Sequence, residues 1–139
     1  GTTAGHVARA ALESIAYQVR DVLEVMQQDA GQPLAEMRAD GGAAVNDLLM
    51  QFQADILRAP VIRPHVTETT ALGAAYLAGL AVGFWGGLDD VAGHWKAERT
   101  FRPEMSDRRV DHRLRRWAEA LQRARDWEEH STIDARELD

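Results

Sequence analysis

Ala8, Leu12, Ile15, Val19, Val22 and Met26 recur at steps of three and four, which is one face of a long amphipathic helix. Arg9 and Glu13 stand four apart on a neighbouring face and form a weak helical ion pair. Gly31 and Pro33 end that helix. The apolar rhythm then shortens. Leu34 to Ala39 has the length of a strand, and Ala43 to Leu57 returns to helical spacing with Leu48, Leu49, Phe52 and Ile56 on its buried face. Ala59-Pro60-Val61-Ile62-Arg63-Pro64 is β-branched and bounded by prolines. It reads as a second strand near a sheet edge, because proline donates no hydrogen bond to a ladder. Thr67 to Thr70 offer caps for a third helix from about Ala71 to Gly83, made almost entirely of small residues. A helix apolar all round is expected to be buried, and its small side chains suit a close approach of two backbones. Gly86-Gly87 opens a looser stretch, and Phe101-Arg102-Pro103 reads as an irregular approach to a last helix. Val110, Leu114, Trp117, Leu121 and Ala124 mark that helix's buried stripe.

The predicted order is therefore helix, strand, helix, strand, helix, loop, helix. Alternation of this kind implies an α/β chain with parallel strands joined by helical crossovers. Two strands make a poor sheet, and a parallel sheet wants both faces covered. The expectation is a partial domain whose upstream strands are missing.

The first strand runs straight into Asp40-Gly41-Gly42-Ala43 and then a helix. Glycine has no Cβ and permits positive φ, so the main chain there can lie flat against a ligand. A helix start adds unpaired N–H groups and partial positive charge, which suits a phosphate-bearing ligand such as a nucleotide. Asn46 falls on the first helical turn, within reach of the same ligand. The plain alternative is that the diglycine is a tight strand-to-helix connection. Asp40 invites a catalytic label, but a role in turning the chain or capping the helix is preferred.

Composition narrows the class. With 139 residues, 45% of them hydrophobic and 27% charged, the chain has the makings of one ordinary domain. A formal charge of −6 argues against nucleic acid as a partner. The chain has no cysteine, hence no disulfide framework and no thiolate chemistry. Gly1 to His6 lack the basic start and apolar run of a leader, and Ala71 to Trp85 is too short to span a bilayer. A cytoplasmic location and no membrane partner are expected. His6, His65, His94, His112 and His130 show no ligand spacing, so no metal site is expected. Glu13 and Asp21 are two helical turns apart, too far to share chemistry. The arginines from Arg108 to Arg125 read as the solvated side of an amphipathic helix rather than a partner surface.

Specific strings point to a family. Ala11-Leu12-Glu13-Ser14-Ile15-Ala16-Tyr17-Gln18 with Arg20-Asp21-Val22-Leu23-Glu24 resembles the carboxy-terminal region of glycerol kinases. So do Asp40-Gly41-Gly42-Ala43 with Asn46, and Leu49-Met50-Gln51-Phe52-Gln53 with Asp55-Ile56-Leu57. The most specific match is Thr70-Ala71-Leu72-Gly73-Ala74-Ala75-Tyr76-Leu77-Ala78-Gly79-Leu80-Ala81-Val82-Gly83-Phe84-Trp85. Phe101-Arg102-Pro103 and Trp127-Glu128-Glu129 also fit, so the likeness runs from Gly1 to about His130.

Glycerol kinases are carbohydrate kinases with an actin-like ATPase fold, in which two ribonuclease H-like domains close on ATP, magnesium and the polyol. The resemblance implies that residues 1–130 are most of the second, nucleotide-binding domain, truncated on its N-terminal side, with 131–139 a flexible tail. It implies ATP or ADP as ligand, with Gly42 and Asn46 contacting the nucleoside and Gly41 beside them. It places the catalytic base, the glycerol site and most of the magnesium site upstream, so this chain carries no catalytic residue and no metal ligand, and is inactive alone. A homo-oligomeric parent and self-association through the uncovered sheet edge are further expectations. A kinase for another sugar or polyol, or a non-catalytic interaction module using the basic last helix, are the alternatives.

Overall fold

The computed structural model describes residues 1–125, in two units that divide after Met105. The tail at 131–139 and the Trp127-Glu128-Glu129 string lie outside the described residues. In the first unit, α1 (Ala4–Ala30) is followed by β1 (Met37–Arg38), a 3₁₀ turn (Gly42–Val45), α2 (Asp47–Leu57), β2 (Val61–Pro64), α3 (Thr69–Ala81), α4 (Leu88–Ala92) and β3 (Ala97–Phe101). The second unit holds α5 (Asp107–Ala124). Along α5, Val110 is buried and Leu114, Trp117 and Leu121 are half-buried, the stripe its periodicity predicts.

The chain is α/β, with a three-stranded sheet ordered β1-β2-β3. The β1–β2 pair is parallel, with Met37 opposite Val61, as the alternating pattern requires. Two expectations about the sheet fail. Its third strand, β3, arises where an irregular approach was expected, and pairs antiparallel with β2. Its residues Ala97-Glu98-Arg99-Thr100 are exposed, and Glu98 to Thr100 are polar, so no apolar alternation announces them. In consequence β2 is the central strand and not an edge. The flanking prolines permit this because neither is asked for an N–H. Pro60 contributes only its carbonyl, to the Met37 N–H at 2.9 Å. Pro64 falls at a register irregularity, where Arg63 faces Arg99 but Pro64 faces Ala97, leaving Glu98 as a bulged residue.

The core lies between α1, α2 and the sheet. Gln53, buried within α2, donates to the Ala16 carbonyl at 3.2 Å, and Tyr17 meets Phe52 edge to face at 5.4 Å. Phe52, Ile56, Val61 and Phe101 fill the space between helix and strands. On α1 only Ala16 and Tyr17 are buried. The stripe read from spacing stays largely open, with Val22 60% and Met26 57% exposed. The i,i+4 pair Arg9–Glu13 forms at 2.7 Å, and Gly31 ends the helix in the left-handed region at φ 65°.

The third helix is a clearer correction. Expected to be buried, α3 has no buried residue, and Leu77 is 70% exposed. Much of its apolar surface is left open by the described residues. Its small residues do serve a close approach, although the partner is not a second helix. The chain turns back after Gly83, and the Trp85 ring lies on Gly79, where a Cβ would stand 2.0 Å from the ring. Tyr76 and Phe84 pack edge-on to that ring, at 5.0 and 4.9 Å.

One buried carboxylate closes the first unit. Asp55 Oδ1, on α2, accepts from the backbone N–H groups of Glu104 at 2.7 Å and Met105 at 3.0 Å, and from Gln51 Nε2 at 3.3 Å. Gln51 also donates to the Arg102 carbonyl at 2.7 Å. The segment after β3 is thereby fastened along α2. Asp55→Ala leaves two part-buried N–H groups without an acceptor and is expected to cost about 2–3 kcal/mol in chemical denaturation. Asp55→Asn keeps an acceptor oxygen there and should recover more than half of that loss.

Candidate functional site

The glycine turn is built from both sides. β1 leads into Asp40, and the Ala39 N–H still donates to Ile62 at 3.0 Å. Gly41 then takes φ 79°, ψ 177°, a conformation that a side chain rarely adopts. Its N–H donates to the Thr67 carbonyl at 2.9 Å. The Thr69 hydroxyl, on the first residue of α3, donates to the Asp40 carboxylate. Asp40 thus has the structural role expected of it, in a different form: it braces the turn against the start of α3 instead of capping the next helix.

Gly42 has ordinary φ, is exposed, and a Cβ built on it meets no atom within 4 Å. Nothing in the fold itself demands glycine at this position. The space beside it is open to a ligand. Gly42 and Ala43 open the 3₁₀ turn, ahead of its first bond from the Ala44 N–H to the Gly41 carbonyl at 3.1 Å.

Asn46 is placed differently from the expectation. It is not on the first turn of α2 but is its N-cap, with extended backbone at φ −83°, ψ 103°. Its Oδ1 accepts from the Leu49 N–H at 3.1 Å. The oxygen serves the helix, and the Nδ2 group is the part of the amide left to serve a ligand. The helical hydrogen-bond pattern breaks here. The turn ends with the Asn46 N–H on the Ala43 carbonyl at 3.2 Å, and α2 begins with the Met50 N–H on the Asn46 carbonyl at 3.0 Å.

Arg63, in the middle of β2, spans this break, and sequence reasoning missed it. Its side chain is only 9% exposed. Nη1 donates to the Ala44 carbonyl at 2.9 Å and to Asp47 Oδ1 at 2.8 Å. Nε and Nη2 form a fork on the two oxygens of Glu98. Arg99, opposite Arg63 in the ladder, reaches the other oxygen of Asp47. Two cations facing each other across a ladder repel, and here the Asp47 carboxylate bridges them while Glu98 pairs with Arg63. The available signal was a lone arginine inside a β-branched, proline-bounded run, followed at a distance by the alternating Glu98-Arg99.

The charges respond accordingly. A hydrogen bond from Arg63 holds the Asp47 carboxyl below the ordinary carboxylate range, opposed by partial burial and helped by the Arg99 charge. The same guanidinium lowers Glu98, again against partial burial. The hydrogen bonds to Glu98 and then to Asp47 raise the pKa of Arg63 further.

Gly41, Gly42 and Asn46 do not line the apolar cleft of about 470 Å³ that Val66, Thr69, Leu72, Tyr76 and Trp95 form; the cleft meets the turn only through Thr69. Among the described residues no group of three histidine or carboxylate side chains is placed to hold a metal ion. No helix among them is long and apolar enough to cross a membrane.

A carboxyl whose pKa is lowered by folding stabilises the native state above the ordinary carboxylate range, and that contribution disappears as the pH falls through the lowered range. Stability is therefore expected to fall more steeply below about pH 4 in the wild type than in an Asp47→Asn/Glu98→Gln variant. Urea midpoints measured across pH 3–7 check this; parallel curves for the two proteins would contradict it.

Residues 1–82 match the C-terminal domain of the FGGY family of carbohydrate kinases. The glycerol kinase of Deinococcus radiodurans is 61% identical over 131 residues, which cover 94% of this chain and 26% of that protein. That of Herminiimonas arsenicoxydans is 63% identical over 127 residues, covering 91% and 26%. Among solved structures, Plasmodium falciparum glycerol kinase with ADP superposes with a TM-score of 0.75 at 34% identity, covering 88% of this chain and 26% of that one. A xylulose kinase from Rhodospirillum rubrum gives 0.68 at 30% identity, covering 89% and 25%. This chain spans about a quarter of the length of the curated relatives it matches. By the match over residues 1–82, it belongs to the FGGY family of carbohydrate kinases.

Proposed function

We propose that this chain is the nucleoside-holding part of an ATP-dependent glycerol kinase, which transfers the γ-phosphate of ATP to glycerol and yields glycerol 3-phosphate. The observation that carries the reading is the 61% identity to a glycerol kinase over 94% of the chain, which includes the glycine turn. The geometry supports it. Gly41 turns the chain in a conformation suited to glycine, Gly42 leaves open space beside bare backbone, and Asn46 keeps Nδ2 as a donor. ATP or ADP lies with its nucleoside against Gly42 and Asn46, with Gly41 shaping the turn.

The reaction needs a base, a polyol site and magnesium. Magnesium, when bound, neutralises charge on the phosphates. The described residues offer no group of three histidine or carboxylate ligands for it. Those functions belong to the rest of the enzyme, a two-domain kinase of the actin-like ATPase type; the remaining strands of this chain's own ribonuclease H-like domain also cover the open faces of α1 and α3. The contribution of this chain is positional: it holds the nucleoside while the polyol is presented from elsewhere, and closure excludes water. A cytoplasmic location and a homo-oligomeric enzyme are part of the same reading.

The test separates substrate from site. The protein carrying this chain should phosphorylate glycerol with ATP and leave xylulose largely unreacted. Turnover of xylulose alone would replace this reading with a sister kinase. Gly42→Ala should leave thermal stability nearly unchanged, because its Cβ enters open space. It should raise KM for ATP about tenfold, equal to ~1.4 kcal/mol of lost nucleotide contact. An unchanged KM for ATP would remove the nucleoside from this turn.

A further inference from the structure

Arg63 joins both sides of the break in which Asn46 sits. Ala44 precedes the break and Asp47 follows it, and the Nη1 group of Arg63 donates to both, at 2.9 and 2.8 Å. Asn46 is the extended residue between the turn and α2, so its backbone is not fixed by a continuous helical ladder. The Ala44 side chain is inward, with 1% of the residue exposed, whereas Gly42 and Ala43 face outward. The guanidinium therefore grips the inner side of a turn whose outer side is open.

The grip is itself held. Glu98 is the bulged residue of β3, and it takes the Nε and Nη2 donors of Arg63 on its two oxygens. Arg99 holds the second oxygen of Asp47. Four of the five N–H donors of the guanidinium are thereby committed, and its plane cannot turn without breaking several bonds at once. A lysine ammonium has three donors but no planar fork, and cannot keep Glu98, Asp47 and Ala44 together in that plane.

We propose that Arg63 is a positioning residue for the nucleotide: by clamping Ala44 and Asp47 from within, it sets the angle at which the glycine backbone and the Asn46 amide meet the nucleoside. This rests on the reading that the nucleoside binds at Gly42 and Asn46. Arg63 does not touch the ligand. Its effect is on how well the turn is preorganised, so it is felt in nucleotide affinity and not in polyol affinity.

The test uses the intact enzyme with Arg63→Lys, Arg63→Met, Gly42→Ala and the Arg63→Lys/Gly42→Ala double variant. KM is measured separately for ATP and glycerol, and folding is checked by circular dichroism. Arg63→Lys should raise KM for ATP about fivefold while KM for glycerol moves less than twofold. Arg63→Met should raise it further; if Arg63→Met does not fold, Arg63→Lys alone decides. The double variant should raise KM for ATP by less than the product of the single effects, because both changes act on one turn. If Gly42→Ala raises KM for ATP and Arg63→Lys does not, the positioning role is overturned and the nucleotide reading survives. The role is also overturned if Arg63→Lys raises both KM values in parallel, or if its effect multiplies fully with that of Gly42→Ala. If neither single variant moves KM for ATP, the nucleotide reading falls, and the positioning role falls with it.

Discussion

A guanidinium that is almost fully buried must find partners for its charge and its donors, and that requirement organises this molecule. Arg63 stands in the central strand, so its partners must come from the elements around it. Glu98 comes from β3, Asp47 from the start of α2, and the Ala44 carbonyl from the glycine turn. Leaving such a charge unpaired in the interior would cost several kcal/mol, so the pieces are held together or not at all. The sheet bulge follows the same logic. One extra residue in β3 puts Glu98 beside the arginine, and it falls where Pro64 has no N–H for a regular ladder. The network also neutralises Arg99, which would otherwise face Arg63 across the ladder.

The apolar surface is the second organising fact. A self-sufficient domain of this size covers its helices, yet α3 has no buried residue, and Phe84 and Leu88 are 76% and 74% exposed. The outer stripe of α1 is similarly open. The chain spans about a quarter of its curated relatives' length, and these open faces are apolar enough to be packed against something. The proposed placement in a two-domain kinase supplies that packing without further assumptions about the chain itself.

What could be read in the residues beforehand depended on whether the information was local. The long period of α1, its pair Arg9–Glu13 and its stop at Gly31 are local, and all are found. So is the strand–diglycine–helix passage, although the strand expected over Leu34 to Ala39 shortens to Met37–Arg38 and a 3₁₀ turn precedes the helix. The position of β2 was not local. Prolines usually mark an edge, and only the polar strand β3, paired at long range, makes β2 central. The exposure of α3 inverted a sound rule, because an all-apolar helix is buried only where its cover is present. Spacing puts Asn46 within the helix, whereas it is the N-cap, since the 3₁₀ turn uses residues that spacing assigns to α2. Arg63 was invisible because an isolated arginine in a strand acquires meaning only through Ala44, Asp47 and Glu98. The family likeness found the turn; the structure adds what stands behind it.

The bonds that finish the turn have a consequence for the order of assembly. Arg63 reaches Glu98 across 35 residues, and Gln51 reaches Arg102 across 51. In the order of synthesis, α1, the glycine turn and α2 all precede every residue of β3. Contacts between α1 and α2 form within the early part, but the clamp on the turn waits for the bulged strand. The segment proposed to meet the nucleotide is therefore synthesised before the strand that shapes it. A nascent chain halted before Glu98 holds the glycines and the asparagine in sequence without holding them in place.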